Sequence, residues 1–170
     1  FACDARADKV YSGKIKVVAH AQSDAADDNF AAYYEYADSS GNIELRKTIF
    51  KHYDATLTGT SVIVVADTST YRQTTAEASF DVVEHKISVA ADYRKVHLVF
   101  TEYNGGHSAR YYLDTNGTLS ETQDFAQSGA MTQLVAYRSD AGGTARFYFA
   151  FAVGATLSIR QQQEAASGTD

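Results

Sequence analysis

The fold class follows from the stretch HLVFTEYNGGHSARYYLDTNGTLSE, which spans residues 97–121. Three short runs in it are rich in Val, Leu, Phe, Tyr and Thr, residue types that are common in strands. The runs are separated by Asn104-Gly105-Gly106-His107 and by Asn116-Gly117, which are typical turn sequences. The stretch therefore predicts three antiparallel strands joined by tight turns.

Four segments of the chain share this succession of an apolar run, a polar loop, a run with small and aromatic residues, and a turn before a last run. Their first runs cover residues 16–20, 63–67, 97–101 and 133–137. The succession predicts an all-β chain of short antiparallel strands, built from propeller-like blade repeats or as a jelly-roll-like β-sandwich. A plain meander would show the same succession without a true repeat. Residues 75–86 could also be read as a helix, but their alignment with the other segments favours strands.

The composition limits the class of protein. The chain has 170 residues, a net charge of −6, one cysteine, no proline and no tryptophan. We expect a single all-β domain over residues 1–160 and a polar tail over 161–170, because no linker composition interrupts the chain. No apolar run approaches the roughly 20 residues that span a bilayer. The acidic balance argues against a nucleic-acid partner.

Motifs for catalysis are absent from the sequence. It has no Gly-rich phosphate loop, no paired-histidine zinc motif and no nucleophile elbow, and its five histidines are scattered. No carboxylate pair has a spacing that singles it out for acid–base work. We therefore expect a protein that is not an enzyme and that needs no cofactor.

Two charged segments have a functional and a simpler interpretation. Asp24, Asp27 and Asp28 are candidate calcium ligands, but a solvated acidic loop is the favoured interpretation, because their spacing does not fit the helix-loop-helix calcium loop. Arg46-Lys47 with the basic residues at 51–52 could meet an anionic partner, or could guard an exposed strand edge.

Two arginines precede aromatic residues in matching contexts. Arg110 and Tyr112 fall on one face of a predicted strand, as do Arg146 and Tyr148. A guanidinium offers five fixed donors for hydroxyls or a carboxylate, and a tyrosine ring offers an apolar platform. Glu121, across the next turn, could accept from hydroxyls. The pattern indicates carbohydrate binding; the alternative is cross-strand pairing on a solvated face.

These residues resemble the blades of the fucose-binding β-propeller lectins of fungi and bacteria. The matching copy has an apolar run at 98–100, then Arg110 with its aromatic pair, Gly117, and Glu121 after Leu119. The resemblance implies a propeller and a fucose-like ligand. This chain departs from the family in having no tryptophan and four imperfect units where a complete propeller has six blades. Closing a ring would then require a four-bladed form or an assembly of chains.

The sequence also gives expectations about compartment and partners. The chain starts at Phe1 rather than methionine, and Asn116-Gly117-Thr118 is a glycosylation sequon. We expect a secreted protein, with Asn116 as a candidate glycosylation site and Cys3 free to pair between chains. The leading function is a non-catalytic, lectin-like glycan-binding protein. The alternative is a structural or adhesive subunit that self-associates through open edges and the aromatic stripe Phe147–Phe151.

Overall fold

The computed structural model is all-β. It describes residues 10–19, 29–37, 43–51, 62–66, 71, 77–86, 94–115, 118–139 and 145–163. Every regular element in these residues is a strand: β1 (Val10–Ala19), β2 (Asn29–Ala37), β3 (Ile43–Lys51), β4 (Val62–Ala66), β5 (Phe80–Lys86), β6 (Arg94–Tyr103), β7 (His107–Thr115), β8 (Thr118–Gln127), β9 (Met131–Ser139), β10 (Arg146–Val153) and β11 (Thr156–Gln163). The prediction of short antiparallel strands is confirmed, including the preference for a strand in the second half of residues 75–86.

The described strands form three antiparallel meanders. Sheet A contains β1 to β4, sheet B contains β5 to β8, and sheet C contains β9 to β11. Neighbouring strands in each sheet are consecutive in the chain. This is the connectivity of blade-like sheets; a jelly roll also pairs strands that are distant in sequence.

The four segments with similar sequences do not all occupy equivalent places. The first and fourth fall on the first three strands of sheets A and C, whereas the third falls on the last three strands of sheet B. The second starts in β4 of sheet A and continues into β5 of sheet B. Arg110 therefore lies on the third strand of its sheet and Arg146 on the second strand of another.

Sheet B lies between the other two sheets and contributes apolar side chains to a core on each of its faces. In β6, Leu98 and Phe100 belong to the core shared with sheet A, whereas Val99 belongs to the core shared with sheet C. Alternate residues of a strand point to opposite faces, so one strand supplies both cores. Each core adds residues from the facing sheet, such as Tyr33 from sheet A.

The aromatic stripe of β10 is internal. Phe147, Phe149 and Phe151 share one face, as predicted, and each is fully buried against sheet B. The expectation that this stripe forms an exposed interface is wrong, because sheet B covers it. The exposed apolar side chains of sheet C lie on its other face, at Val135 and Ile159 among others.

The first strands of the three sheets are joined through Asp81 of β5. Its Oδ1 forms an ion pair with Lys16 of β1 at 3.0 Å, and its Oδ2 accepts a hydrogen bond from the backbone N of Ala136 in β9 at 2.9 Å. Glu84, three residues further along β5, accepts a hydrogen bond from the backbone N of Ala19 in β1 at 2.6 Å. These bonds set the order β1, β5, β9 along one side of the stack.

A buried ion pair crosses from sheet A to sheet B. Lys47 Nζ of β3 donates to Asp114 Oδ2 of β7, and both side chains are fully buried. The Tyr33 hydroxyl donates to the same oxygen at 2.9 Å. Burial, followed by the charge of Asp114, raises the pKa of Tyr33 well above its ordinary value, so the phenol keeps its proton. Lys47 therefore contributes neither to an exposed basic patch nor to a guarded edge.

The remaining expectations concern the C-terminal tail and membrane-spanning segments. Strand β11 continues to Gln163, so it includes the first three residues of the expected polar tail, which starts at 161. Among the described residues there is no helix of the length and apolarity required to cross a membrane.

Candidate functional site

Three of the predicted site residues meet on one face of sheet B. Tyr112 of β7 lies opposite Glu121 of β8, and Arg110 lies opposite Asp124. The β7–β8 pairing shifts by one residue between Tyr111 and Tyr112, so Glu121 and Asp124 reach the same face although they are three residues apart.

Arg110 is held by three carboxylates. Its Nε donates to Glu102 Oε2 of β6, its Nη1 donates to Glu121 Oε1, and Asp124 Oδ2 lies 3.5 Å from Nη1. The Tyr112 hydroxyl donates to Glu121 Oε2 at 3.5 Å. We call Arg110, Tyr112, Glu102, Glu121 and Asp124 the Arg110 cluster. One cation against three carboxylates gives the cluster a net negative charge.

Solvent reaches the outer members of the Arg110 cluster. The side chains of Glu121 and Asp124 are 44% and 40% exposed, whereas those of Arg110 and Glu102 are 20% and 13% exposed. The Tyr112 ring packs against the buried ring of Phe100, with centroids 5.2 Å apart. The cluster therefore has a fixed inner half and an accessible outer half.

The protonation states of the two central residues follow from their surroundings. Burial lowers the pKa of Arg110, but the hydrogen bond to Glu102 and the three nearby negative charges outweigh burial and raise it overall. Burial, followed by the charges of Glu121 and Glu102, raises the pKa of Tyr112. At neutral pH the cluster therefore offers a permanent cation and a neutral phenol.

Donors and acceptors lie side by side in this cluster. Among the described residues, Nη2 of Arg110 has no hydrogen-bond partner, so its two N–H groups are free to donate. The exposed oxygens of Glu121 and Asp124 can each accept further bonds. A group that both donates and accepts, such as a hydroxyl, matches this arrangement.

The second predicted pair lies elsewhere and lacks carboxylates. Arg146 and Tyr148 share the outer face of sheet C, as the alternation predicts, but they do not join the Arg110 cluster. Tyr148 faces the ring of Tyr137 at 6.4 Å. Within the described part of the chain, Arg146 Nε is buried without a hydrogen-bond partner. This pair therefore repeats the arginine and the aromatic ring but not the acceptors.

Several predicted residues lie outside the described ones: Asn116, Asp24, Asp27, Asp28 and Cys3. No group of three His, Cys, Asp or Glu side chains that could hold a metal ion occurs in the residues that the structure describes.

Sequence reasoning missed two members of the cluster. Glu102 follows Phe100 by two residues on β6, so strand alternation from Leu98 onward could have placed it on the correct face. Asp124 could not have been found in this way, because the register shift in β7–β8 reverses the alternation expected from Glu121.

Comparison with known proteins gave no match. No family model, no curated protein and no solved structure resembles this chain at a significant level. The similarity to blades of fucose-binding lectins therefore stays a prediction, and the chemistry of the Arg110 cluster is the basis for a function.

Proposed function

We propose that the protein is a secreted, non-catalytic carbohydrate-binding protein, and that the Arg110 cluster is its ligand site. The observation that carries this proposal is the partly exposed arginine held between three carboxylates beside a tyrosine ring. A guanidinium fixed by two of its own hydrogen bonds presents its remaining donors in one orientation, so the arginine side chain loses little rotamer entropy when a ligand binds.

A sugar can use every exposed group of the cluster. One hydroxyl can accept from Nη2 of Arg110 while it donates to Glu121, and a neighbouring hydroxyl can donate to Asp124. The apolar C–H face of the sugar can pack on the Tyr112 ring, which Phe100 holds in place.

The charge of the cluster indicates which sugars bind. Three carboxylates around one arginine repel a further carboxylate, so an acidic sugar is disfavoured. Neutral sugars with vicinal hydroxyls are the expected class. The resemblance to lectin blades makes fucose the first neutral sugar to test.

A glycan array with variant proteins tests the proposal. Arg110→Lys keeps the charge but loses the fixed fork, and Glu121→Gln keeps the size but loses a charged acceptor. We expect each to weaken binding by about tenfold or more, because a hydrogen bond to a charged group contributes about 1.5–3 kcal/mol. Arg46→Lys is the matched control, since Arg46 also pairs with a glutamate and is 18% exposed. No binding to any glycan, or binding unchanged in both variants, would overturn the proposal.

A second function, a structural or adhesive subunit, is favoured by a different observation. The outer faces of sheets A and C expose large apolar side chains, including Val17 at 62% and Leu157 at 66%. Such side chains on one face indicate an interface. Light scattering over a wide concentration range tests this function, and a strict monomer throughout would exclude it.

A further inference from the structure

The stack of three sheets ends in two apolar faces. The A face, on the outer side of sheet A, exposes Ile15, Val17 and Val64 by between 48% and 62%. The C face, on the outer side of sheet C, exposes four apolar side chains by between 50% and 66%: Val135, Tyr137, Leu157 and Ile159.

Apolar side chains of each face lie opposite one another on neighbouring strands. On the C face, Val135, Ala150 and Ile159 lie opposite one another on three neighbouring strands. On the A face, Ile15 lies opposite Tyr34 on the next strand. Side chains opposite each other in a sheet are in contact. The C face therefore presents a row of apolar groups, whereas on the A face Arg46 lies between Tyr34 and Val64 in the same row.

We infer that the C face of one copy packs on the A face of a second copy, in a head-to-tail arrangement. This inference deepens the second proposed function, since it names the partner and the two surfaces. The occupant of each face is another copy of this chain.

The internal packing of the molecule supports this arrangement. Sheets A and B, and then B and C, stack face to face with their first strands in contact: β1 with β5, and β5 with β9. A second copy whose β1 lies beside β9 of the first copy continues the same order. The C face and the A face are the two surfaces that this continuation brings together.

Charge also favours unlike faces over like faces. Arg146 lies on the C face, and within the described residues it has no ion-pair partner. Two C faces in contact would bring two Arg146 side chains into one interface. The A face carries Glu44, whose carboxylate contacts Arg46 at 2.8 Å and is 19% exposed. Contact between a C face and an A face avoids this, because Glu44 and Arg46 of the A face already neutralise each other.

A head-to-tail contact leaves one face free at each end of a pair. Further copies can therefore add until the rotation closes a ring or an open filament grows. The size of the assembly depends on concentration in either case.

Two variants, one on each face, test the inference. Val17→Asp disables the A face and leaves the C face, whereas Ile159→Asp disables the C face and leaves the A face. Gln123→Asp, on an exposed position of β8, is the control and should associate like wild type. Circular dichroism and urea unfolding establish that all three fold, which is expected because the substituted side chains are exposed.

Analytical ultracentrifugation of each variant alone and of their mixture gives the decisive readout. We expect wild type to associate, each face variant alone to stay a monomer, and an equimolar mixture to form a heterodimer through its one intact pair of faces. A mixture that stays monomeric, or one face variant that associates like wild type, overturns the head-to-tail arrangement alone. A wild type that is monomeric at all concentrations overturns the structural-subunit function as well.

Discussion

The buried pair of Lys47 and Asp114 provides a sharp prediction about stability. The substitution Asp114→Asn keeps the size of the side chain but removes the negative charge. Lys47 is then left as a fully buried cation without a counter-charge. Lys47 Nζ has no other hydrogen-bond partner among the described residues, so no second carboxylate compensates. Removing one partner of a buried pair costs about 3–5 kcal/mol.

This cost is large for a single domain. Since 1 kcal/mol shifts the melting temperature by roughly 2–4 °C in a chain of this length, the variant should melt about 6–20 °C below wild type. Urea unfolding followed by circular dichroism measures the free energy of unfolding, and an unchanged slope with urea shows that the variant still folds as wild type does.

The matched control is Asp124→Asn. Asp124 also faces an arginine, at 3.5 Å, but is 40% exposed, so its loss should cost about 1 kcal/mol or less. The double variant Lys47→Met with Asp114→Leu removes both charges and should recover part of the stability, although the Tyr33 hydroxyl then lacks its acceptor. If Asp114→Asn costs no more than Asp124→Asn, the pair is not buried as described.

Three further predictions concern the rest of the molecule. Burial, followed by the positive charges of neighbouring groups, lowers the pKa of His97 to about 2, so only the unfolded chain takes up this proton between pH 6.5 and 2. The stability from His97 is thus complete above pH 6.5, and below it the free energy of unfolding falls by up to about 1.4 kcal/mol per pH unit. The free energy of unfolding of His97→Gln should depend less on pH. Equal pH dependence in His97→Gln and wild type would contradict the lowered pKa. Phe149→Ala should lower the free energy of unfolding, measured with urea, by about 3–5 kcal/mol, because Phe149 is fully buried beside the ring of Tyr111. A loss below about 1 kcal/mol would show that sheet C does not pack on sheet B. Gly154→Ala should lower the free energy of unfolding by about 1–2 kcal/mol, because Gly154 has a φ of +57° in the β10–β11 turn. Gly129→Ala, the control, should be nearly neutral. Equal melting temperatures for the two variants would contradict this turn geometry.

The strands could be predicted because their signals are local. Alternation places Phe147, Phe149 and Phe151 on one face whatever lies opposite, and an Asn-Gly pair between two apolar runs predicts a hairpin on its own. The same local rules brought Arg110, Tyr112 and Glu121 to one face, since they lie on two strands joined by a short turn.

Features set by distant parts of the chain could not be predicted in this way. The sequence does not indicate that sheet A ends at β4 and sheet B begins at β5, because the packing of whole sheets determines the boundary. Lys47 resembles an exposed lysine until it is paired with Asp114, which lies 67 residues away. Asp124 reaches the Arg110 cluster only because one residue is inserted in the β7–β8 register.

The central claim is that a neutral sugar binds at the Arg110 cluster. Isothermal titration of wild type, Arg110→Lys and Arg46→Lys with fucose and with other neutral monosaccharides from the array tests it directly. We expect wild type and Arg46→Lys to bind the same sugar with equal affinity, and Arg110→Lys to bind it about tenfold more weakly or worse. Equal binding by all three proteins would place the ligand elsewhere, and no heat of binding with any sugar would contradict the carbohydrate-binding function itself.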